Sequence, residues 1–389
     1  MIRLSILLLP SVLLAAQNYG RLSYEGMVHY ETETTKGHTI NLEQPLPNKV
    51  YDDEKQHLCV FYSVLGYELQ SSNGRWALNL EGRANIQLEK GEYTTPAYVQ
   101  KFSFEDINTA MLSEASIDYY TDSVALSIGR NVVDMDWLSG SIDAVMAYGT
   151  TEMIEARAFW FTDYYDFQYN YYTKHKEIND GKGISGLYLQ SGEALKQLQV
   201  CAYYYLMADR QYIVGTKLYT ELKPFSLNAS YAYLGTLQNA MMKEEEFWRI
   251  WSSVIVADNH SFEVGYSRTG NNGLVAMLQF GSHPFSQFYL SNALDRPKAQ
   301  NGYLQYSYED DELFFECIGG ITSYYGTTLQ SSHLVPQWMQ SYEVDLNVGY
   351  ALGDHLLIEL SYMTLDLDHR DILEFDQNLF MAELVVQWP

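Results

Sequence analysis

Cysteine is scarce in this chain: three in 389 residues, at Cys59, Cys201 and Cys317, all far apart. So odd and sparse a set excludes a disulfide scaffold, and the three read as small apolar side chains. Long apolar runs are missing too. After residue 16 nothing stays apolar for the ~18 residues that would mark a transmembrane helix. Base is also in short supply, with 24 Lys and Arg against 49 Asp and Glu and a net charge of −25. No nucleic-acid partner is expected. Neither G-x-S-x-G nor H-E-x-x-H occurs, and no zinc or nucleotide motif of quality is present. No cofactor, metal site or catalytic residue is therefore assigned, and the chain is not read as an enzyme.

What is present begins with an export signal. "MIRLSILLLPSVLLAAQ" has a positive charge at Arg3, an apolar run from Leu4, and small residues at Ala15 and Ala16. This reads as a signal peptide over residues 1–16, leaving residues 17–389 as one barrel domain. Then comes alternation. In "RWALNLEGRANIQLE" (75–89), Trp76, Leu78, Leu80, Gly82, Ala84, Ile86 and Leu88 lie on one face. Arg75, Ala77, Asn79, Glu81, Arg83, Asn85, Gln87 and Glu89 lie on the other. A period of two is a strand, but strands of soluble domains run to about 5 or 6 residues. A tilted strand crossing a bilayer needs about 9–11, with overhang. Without an apolar helix, only a closed barrel satisfies every backbone hydrogen bond in lipid. The 34 tyrosines suit the aromatic girdles of such a barrel.

The pattern recurs at 21–33 and in "SYEVDLNVGYAL" (341–352), followed by a turn at Gly353 and Asp354 and a further strand from Leu356. Other turns are expected at Ser72–Asn73–Gly74, Thr121–Asp122, Asp258–Asn259 and Glu309 to Glu312. Longer polar connections are expected at 34–56 and 331–340. The expected fold class is all-β, a transmembrane antiparallel up-and-down barrel with short periplasmic turns and long extracellular loops. At roughly 20–23 residues per strand and connection the count is about 18, with 16 the alternative. A barrel that wide holds water, so a pore follows. The chain ends on Trp388 and Pro389, whereas outer-membrane barrels usually end on an aromatic residue.

The segment "DSVALSIGRNVVDMDWLSGSIDAVMAYG" (122–149) carries a resemblance. It is similar to the Opr-type major porins of the Campylobacterota, whose fifth strand runs into a G-R-Q…D…W…D loop. Gly129, Arg130, Asp134, Asp136, Trp137 and Asp143 match, and Asn131 stands in place of the Gln. The resemblance implies a homotrimeric porin of the Gram-negative outer membrane, in contact with the lipid bilayer and lipopolysaccharide and passing small hydrophilic solutes. It also implies a third loop, about 131–142, that narrows the pore. Since Val124, Leu126 and Ile128 face lipid, a straight strand would put Arg130 in lipid at a cost of about 2–4 kcal/mol. The chain is therefore expected to turn or bulge by Arg130. The expected constriction set is Arg130, Asp134, Asp136 and Asp143. Arg130 would either set a transverse field opposite Asp134 and Asp136 or tie down the loop by an ion pair.

Parity assigns Glu25, Glu31, Arg75, Glu81, Arg83, Glu263, Glu343, Asp345 and Glu359 to the lumen. Mostly acidic walls predict cation preference. Weaker signals are "GKGISG" (181–186), which lacks a βαβ context, "MMKEEEFWRIW" (241–251), which suits a short loop helix, and "DLDHRD" (366–371), which lacks the glycine and closing Glu of a calcium loop. A passive porin leads. A substrate-selective channel for amino acids, peptides or carboxylates is the alternative, and a barrel hydrolase or a soluble secreted β-protein the readings from other classes.

Overall fold

The computed structural model describes residues 19–39, 49–90, 109–167, 172–192, 197–237, 243–257, 259–273, 296–330, 333–367 and 373–388. Residues 1–16 lie outside this set. Among the described residues nineteen strands follow one another. β1 (Tyr19–Thr39), β2 (Lys49–Gln70), β3 (Trp76–Lys90), β4 (Thr109–Tyr120), β5 (Val124–Met135), β6 (Leu138–Thr150) and β7 (Ile154–Phe167) each pair antiparallel with the next. β8 (Tyr172–Glu177) and β9 (Ile184–Ser191) pair with successive stretches of one edge of β7. A 3-10 turn at Asn179–Gly181 separates them, so together they hold one place in the wall.

The circuit continues through β10 (Leu198–Met207), β11 (Gln211–Leu222), β12 (Phe225–Thr236), β13 (Glu245–Ala257), β14 (His260–Thr269) and β15 (Gln300–Glu309). It ends with β16 (Leu313–Gln330), β17 (His333–Ala351), β18 (Leu356–Leu367) and β19 (Leu373–Trp388). β19 then pairs with β1 from Tyr24↔Trp388 to Thr39↔Leu373. The sheet closes on itself as an antiparallel barrel of 18 strand positions. Closure removes the edges that an open sheet would leave unsatisfied in lipid.

Alternation sorts the two faces as the sequence indicates. Leu22, Tyr24, Val28 and Tyr30 of β1 are exposed on the outside, as are Leu80, Val344, Ile358, Leu360 and Leu384. On the inner faces, Asn79 donates to Asp118 at 2.7 Å and Ser113 donates to Glu81 at 2.7 Å. The outer aromatics gather at two levels. Trp76–Tyr119 (4.6 Å) and Phe262–Tyr306 (5.0 Å) lie near the short turns. Trp248–Tyr266 (5.2 Å) and Tyr325–Trp338 (5.8 Å) lie near the opposite end. Indole and phenol rings favour the two membrane–water boundaries, so the pairs mark the limits of the apolar band.

The turns at Ser72–Gly74, Thr121–Asp122 and Gly353 fall where the sequence places them. Asp310 caps the β15–β16 turn by accepting from the backbone N–H groups of Glu312 and Leu313 and from the Tyr308 hydroxyl. Those bonds hold its carboxyl below the usual range. Three expectations need correction. The connection at 34–56 is mostly strand, since β1 reaches Thr39 and β2 starts at Lys49. Residues 333–340 are likewise strand, with Gln330 paired to His333, while 331–332 lie outside the described residues. In both places polar residues extend a tall hairpin beyond the apolar band, where neither face needs to be oily. Finally, residues 245–251 form β13 rather than a helix, with Phe247, Arg249 and Trp251 inward and Trp248 and Ile250 outward.

Candidate functional site

The β5–β6 hairpin leaves the wall. β4 and β5 pair only as far as Ala115↔Arg130, whereas β5 and β6 stay paired to Met135↔Leu138. Gly129 is the pivot. Its φ of 128° is one that side-chain-bearing residues rarely adopt, and a Cβ there would lie 2.3 Å from the Ala115 carbonyl oxygen. The bend comes where parity demanded one, a residue before Arg130 would have entered lipid. Residues 131–142 are thus a regular antiparallel hairpin turning at Asp136–Trp137, not an irregular loop.

The hairpin tip reaches inner-wall strands that are not its neighbours. Trp137, at 5% exposure, donates its indole N–H to the Tyr203 hydroxyl of β10 at 3.2 Å and packs edge-on against Phe247 of β13 at 5.4 Å. Asp136 forms an ion pair with Lys217 of β11. One face of the hairpin (Val133, Trp137, Leu138, Ile142) joins a buried apolar cluster with Phe159, Phe161, Tyr205, Ile213 and Leu234 of the inner wall. This packing fixes the tip inside the barrel. Trp137 takes a φ of 67°, a left-handed turn conformation costing roughly 1–3 kcal/mol. Burying an indole contributes on a comparable or larger scale.

The opposite face carries the charge. Arg130 makes a two-pronged ion pair with Asp143 directly across the ladder, at 2.8 and 3.2 Å, and donates to the Leu112 carbonyl at 2.9 Å. Its guanidinium lies 3.7 Å above the Tyr165 ring. Asp134 is exposed. The arrangement of Arg130 facing Asp134 and Asp136 is therefore corrected: Arg130 pairs with Asp143 at the hairpin base, while Asp136 meets Lys217 at the tip. Adjacent ladder positions make the first contact, and inward folding makes the second.

The expected lumen residues are placed unevenly. Glu25, Glu81, Arg83, Glu263, Glu343, Asp345 and Glu359 occupy the inner parity of their strands. Arg75 does not, since it sits exposed in the β2–β3 turn, and the side chain of Glu31 lies outside the described residues. Arg83 pairs with Glu81 at 2.7 Å. Glu263 accepts from Tyr303 at 2.6 Å and from Arg249 at 3.2 Å. Glu343 and Asp345 are buried, and Glu359 stands across from Glu383, which contacts His29 at 2.8 Å. Of "DLDHRD", residues 368–370 and Asp371 lie outside the described set, and among the described residues no group of three or more His, Cys, Asp or Glu side chains is arranged to hold a metal.

Sequence reading passes over Lys217, Arg249 and Arg157. Arg249 stacks at 4.4 Å over Trp251, and was hidden by the helical reading of its segment. Lys217 follows the inward parity of Ile213 and Gly215, a signal legible in "YIVGTKLYT". Arg157 lies 4.9 Å over Tyr148 and forms no ion pair among the described residues. It lines a cavity of about 370 Å³ near the short-turn end together with Glu155, Tyr188 and Gln190.

A closed barrel with an apolar outer band and an inward hairpin defines an outer-membrane β-barrel protein. No family model and no curated protein matches the chain. Solved structures do. It is similar to Pseudomonas aeruginosa OccK3 (OpdO), with 10% identity, 95% of each chain covered and a TM-score of 0.72. P. aeruginosa OccK9 (OpdG) matches at 14% identity over 95% of this chain and 98% of that one, TM-score 0.70. P. aeruginosa OpdK, solved with vanillate, matches at 11% over 94% and 99%, TM-score 0.68. At these identities the likeness is one of fold: an 18-stranded outer-membrane barrel like those of the Pseudomonas Occ proteins.

Proposed function

We propose that the protein is a substrate-selective outer-membrane channel for small charged solutes of the amino-acid, peptide or carboxylate class. The observation that carries this reading is the β5–β6 hairpin anchored across the lumen by Trp137. A plug of that kind leaves passages lined by specific side chains rather than one wide hole. Below it, the cavity beside Arg157 and Glu155 offers a guanidinium for a carboxylate and a carboxylate for an ammonium group. The binding of vanillate, a carboxylate, to the OpdK barrel supports the same class.

Arg130, Asp134, Asp136 and Asp143 form the constriction in this proposal, and the acidic inner residues give small ions a cation preference. Arg83, Lys217 and Arg249 are each matched by a carboxylate, while acids such as Glu359 and Glu383 face each other. The kinship to Campylobacterota porins, the trimer and the signal peptide belong to the proposal and rest on the sequence.

Planar-bilayer recording of refolded protein tests the reading. Small unitary steps blocked by one solute class are expected, with a salt-gradient reversal potential of cation-selective sign. Large ohmic steps indifferent to amino acids and carboxylates would instead support a general diffusion pore.

A further inference from the structure

The outer surface holds a feature that the solute path does not use. Near the loop end of β13–β17, Trp248, Arg268 and Gln300 stand side by side in register, all facing outward. Below them the wall is apolar, with Val264, Leu304 and Ile321 exposed at 58%, 57% and 48%. Lys298, just before β15, has its backbone N–H bonded to the Gly270 carbonyl at 2.6 Å and its ammonium 4.7 Å above the Tyr325 ring. Two cations are thus bracketed by the Trp248–Tyr266 and Tyr325–Trp338 pairs of the upper girdle.

We infer that this face binds the phosphate groups of the glycolipid that fills the outer leaflet, the lipid A part of lipopolysaccharide. Depth supports it. Gln300 to Tyr308 spans about 26 Å of strand, or about 20 Å of height once tilted, so both cations sit at the upper edge of a ~25 Å apolar band. That edge is where headgroup phosphates lie. The chemistry matches as well. Arg268 can present its two terminal guanidinium nitrogens to phosphate oxygens, while its Nε is buried and has no hydrogen-bond partner among the described residues. The Tyr266 hydroxyl donates to the side-chain Oε1 of Gln300 at 3.0 Å, which leaves the Gln300 side-chain amide N–H groups to donate. Lys298 adds a point charge held in place by the ring beneath it.

Among the described residues Glu244 just before β13, Glu246 of β13 and Asp366 of β18 share this outer face, and all three are exposed toward its margins. On a chain with a net charge of −25, an anionic lipid gains nothing from long-range attraction. Any preference for it must come from such local cations. The inference rests on the outer-membrane location alone and not on which solute crosses the pore.

The test uses the full-length barrel in detergent, titrated with bis-phosphorylated lipid A, with the same lipid dephosphorylated, and with phosphatidylglycerol, and read by native mass spectrometry. Arg268→Gln with Lys298→Gln should weaken binding of bis-phosphorylated lipid A about 25-fold, taking roughly fivefold per cation. Lys223→Gln, which removes one charge at a turn on the other side of the membrane, should leave it unchanged. Equal affinity of the double variant, or equal retention of dephosphorylated lipid A or phosphatidylglycerol by the parent, overturns the inference. Unitary conductance of the double variant reports separately on folding and on the channel reading, and should match the parent.

Discussion

Single residues set the balance of charge at the hairpin tip. Asp136 and Lys217 neutralise each other, so removing either uncovers its partner. Asp136→Asn should move the salt-gradient reversal potential toward anions, and Lys217→Gln should move it toward cations. The double variant should return close to the parent value. An unchanged potential in both single variants would remove the tip from the ion path. Arg130 plays another part. With Asp143 on two of its nitrogens, Leu112 on the third and Tyr165 beneath it, it is fully engaged in holding the hairpin base. Parity alone indicated a bend near Arg130, because a charge in lipid is costly. The partner was not legible, since three carboxylates lie within reach in sequence and only the ladder register selects Asp143.

Elements decide how wide the channel is. The hairpin is anchored by one indole in an aromatic nest and bent by one glycine. Trp137→Ala should cost about 3–5 kcal/mol of local packing. Because the wall ladders stay intact, the loss should appear as a larger and noisier unitary conductance rather than as failure to fold. Gly129→Val acts at the other end of the hairpin. It places a branched side chain against the Ala115 carbonyl in a backbone region that costs about 1–3 kcal/mol to occupy. A lowered unfolding midpoint in urea, followed by gel heat-modifiability, is expected. Identical midpoints would mean that the hairpin bends elsewhere. Strand existence was legible here from alternation alone. The tall β16–β17 hairpin was not, because above the membrane both faces meet water and the apolar–polar contrast fades.

At the scale of the molecule, lipid outside and water inside make neighbouring positions respond differently to the same change. Leu80→Arg puts a charge on the lipid face and should destabilise the refolded barrel by about 2–4 kcal/mol near the midplane. Asn79→Arg, one residue away, points into the lumen and should leave the urea midpoint almost unmoved while shifting ion preference toward anions. Equal destabilisation by both would mean that the two faces are not lipid and water. The Pseudomonas barrels share this architecture at 10–14% identity, so the likeness is one of fold and carries over no individual side chain.

Local pattern determined much of this protein: strands, the face each side chain takes, the short turns, the lipid-facing band and the need for a bend near Arg130. Each follows from steric periodicity and from the cost of charge in oil, which act over a few residues at a time. Tertiary structure alone decided that residues 131–142 form a hairpin docked on Tyr203, Lys217 and Phe247, and that Arg157 lines a cavity. Those contacts join strands dozens of residues apart in sequence, and they exist only once the barrel has closed and brought its inner walls to face one another.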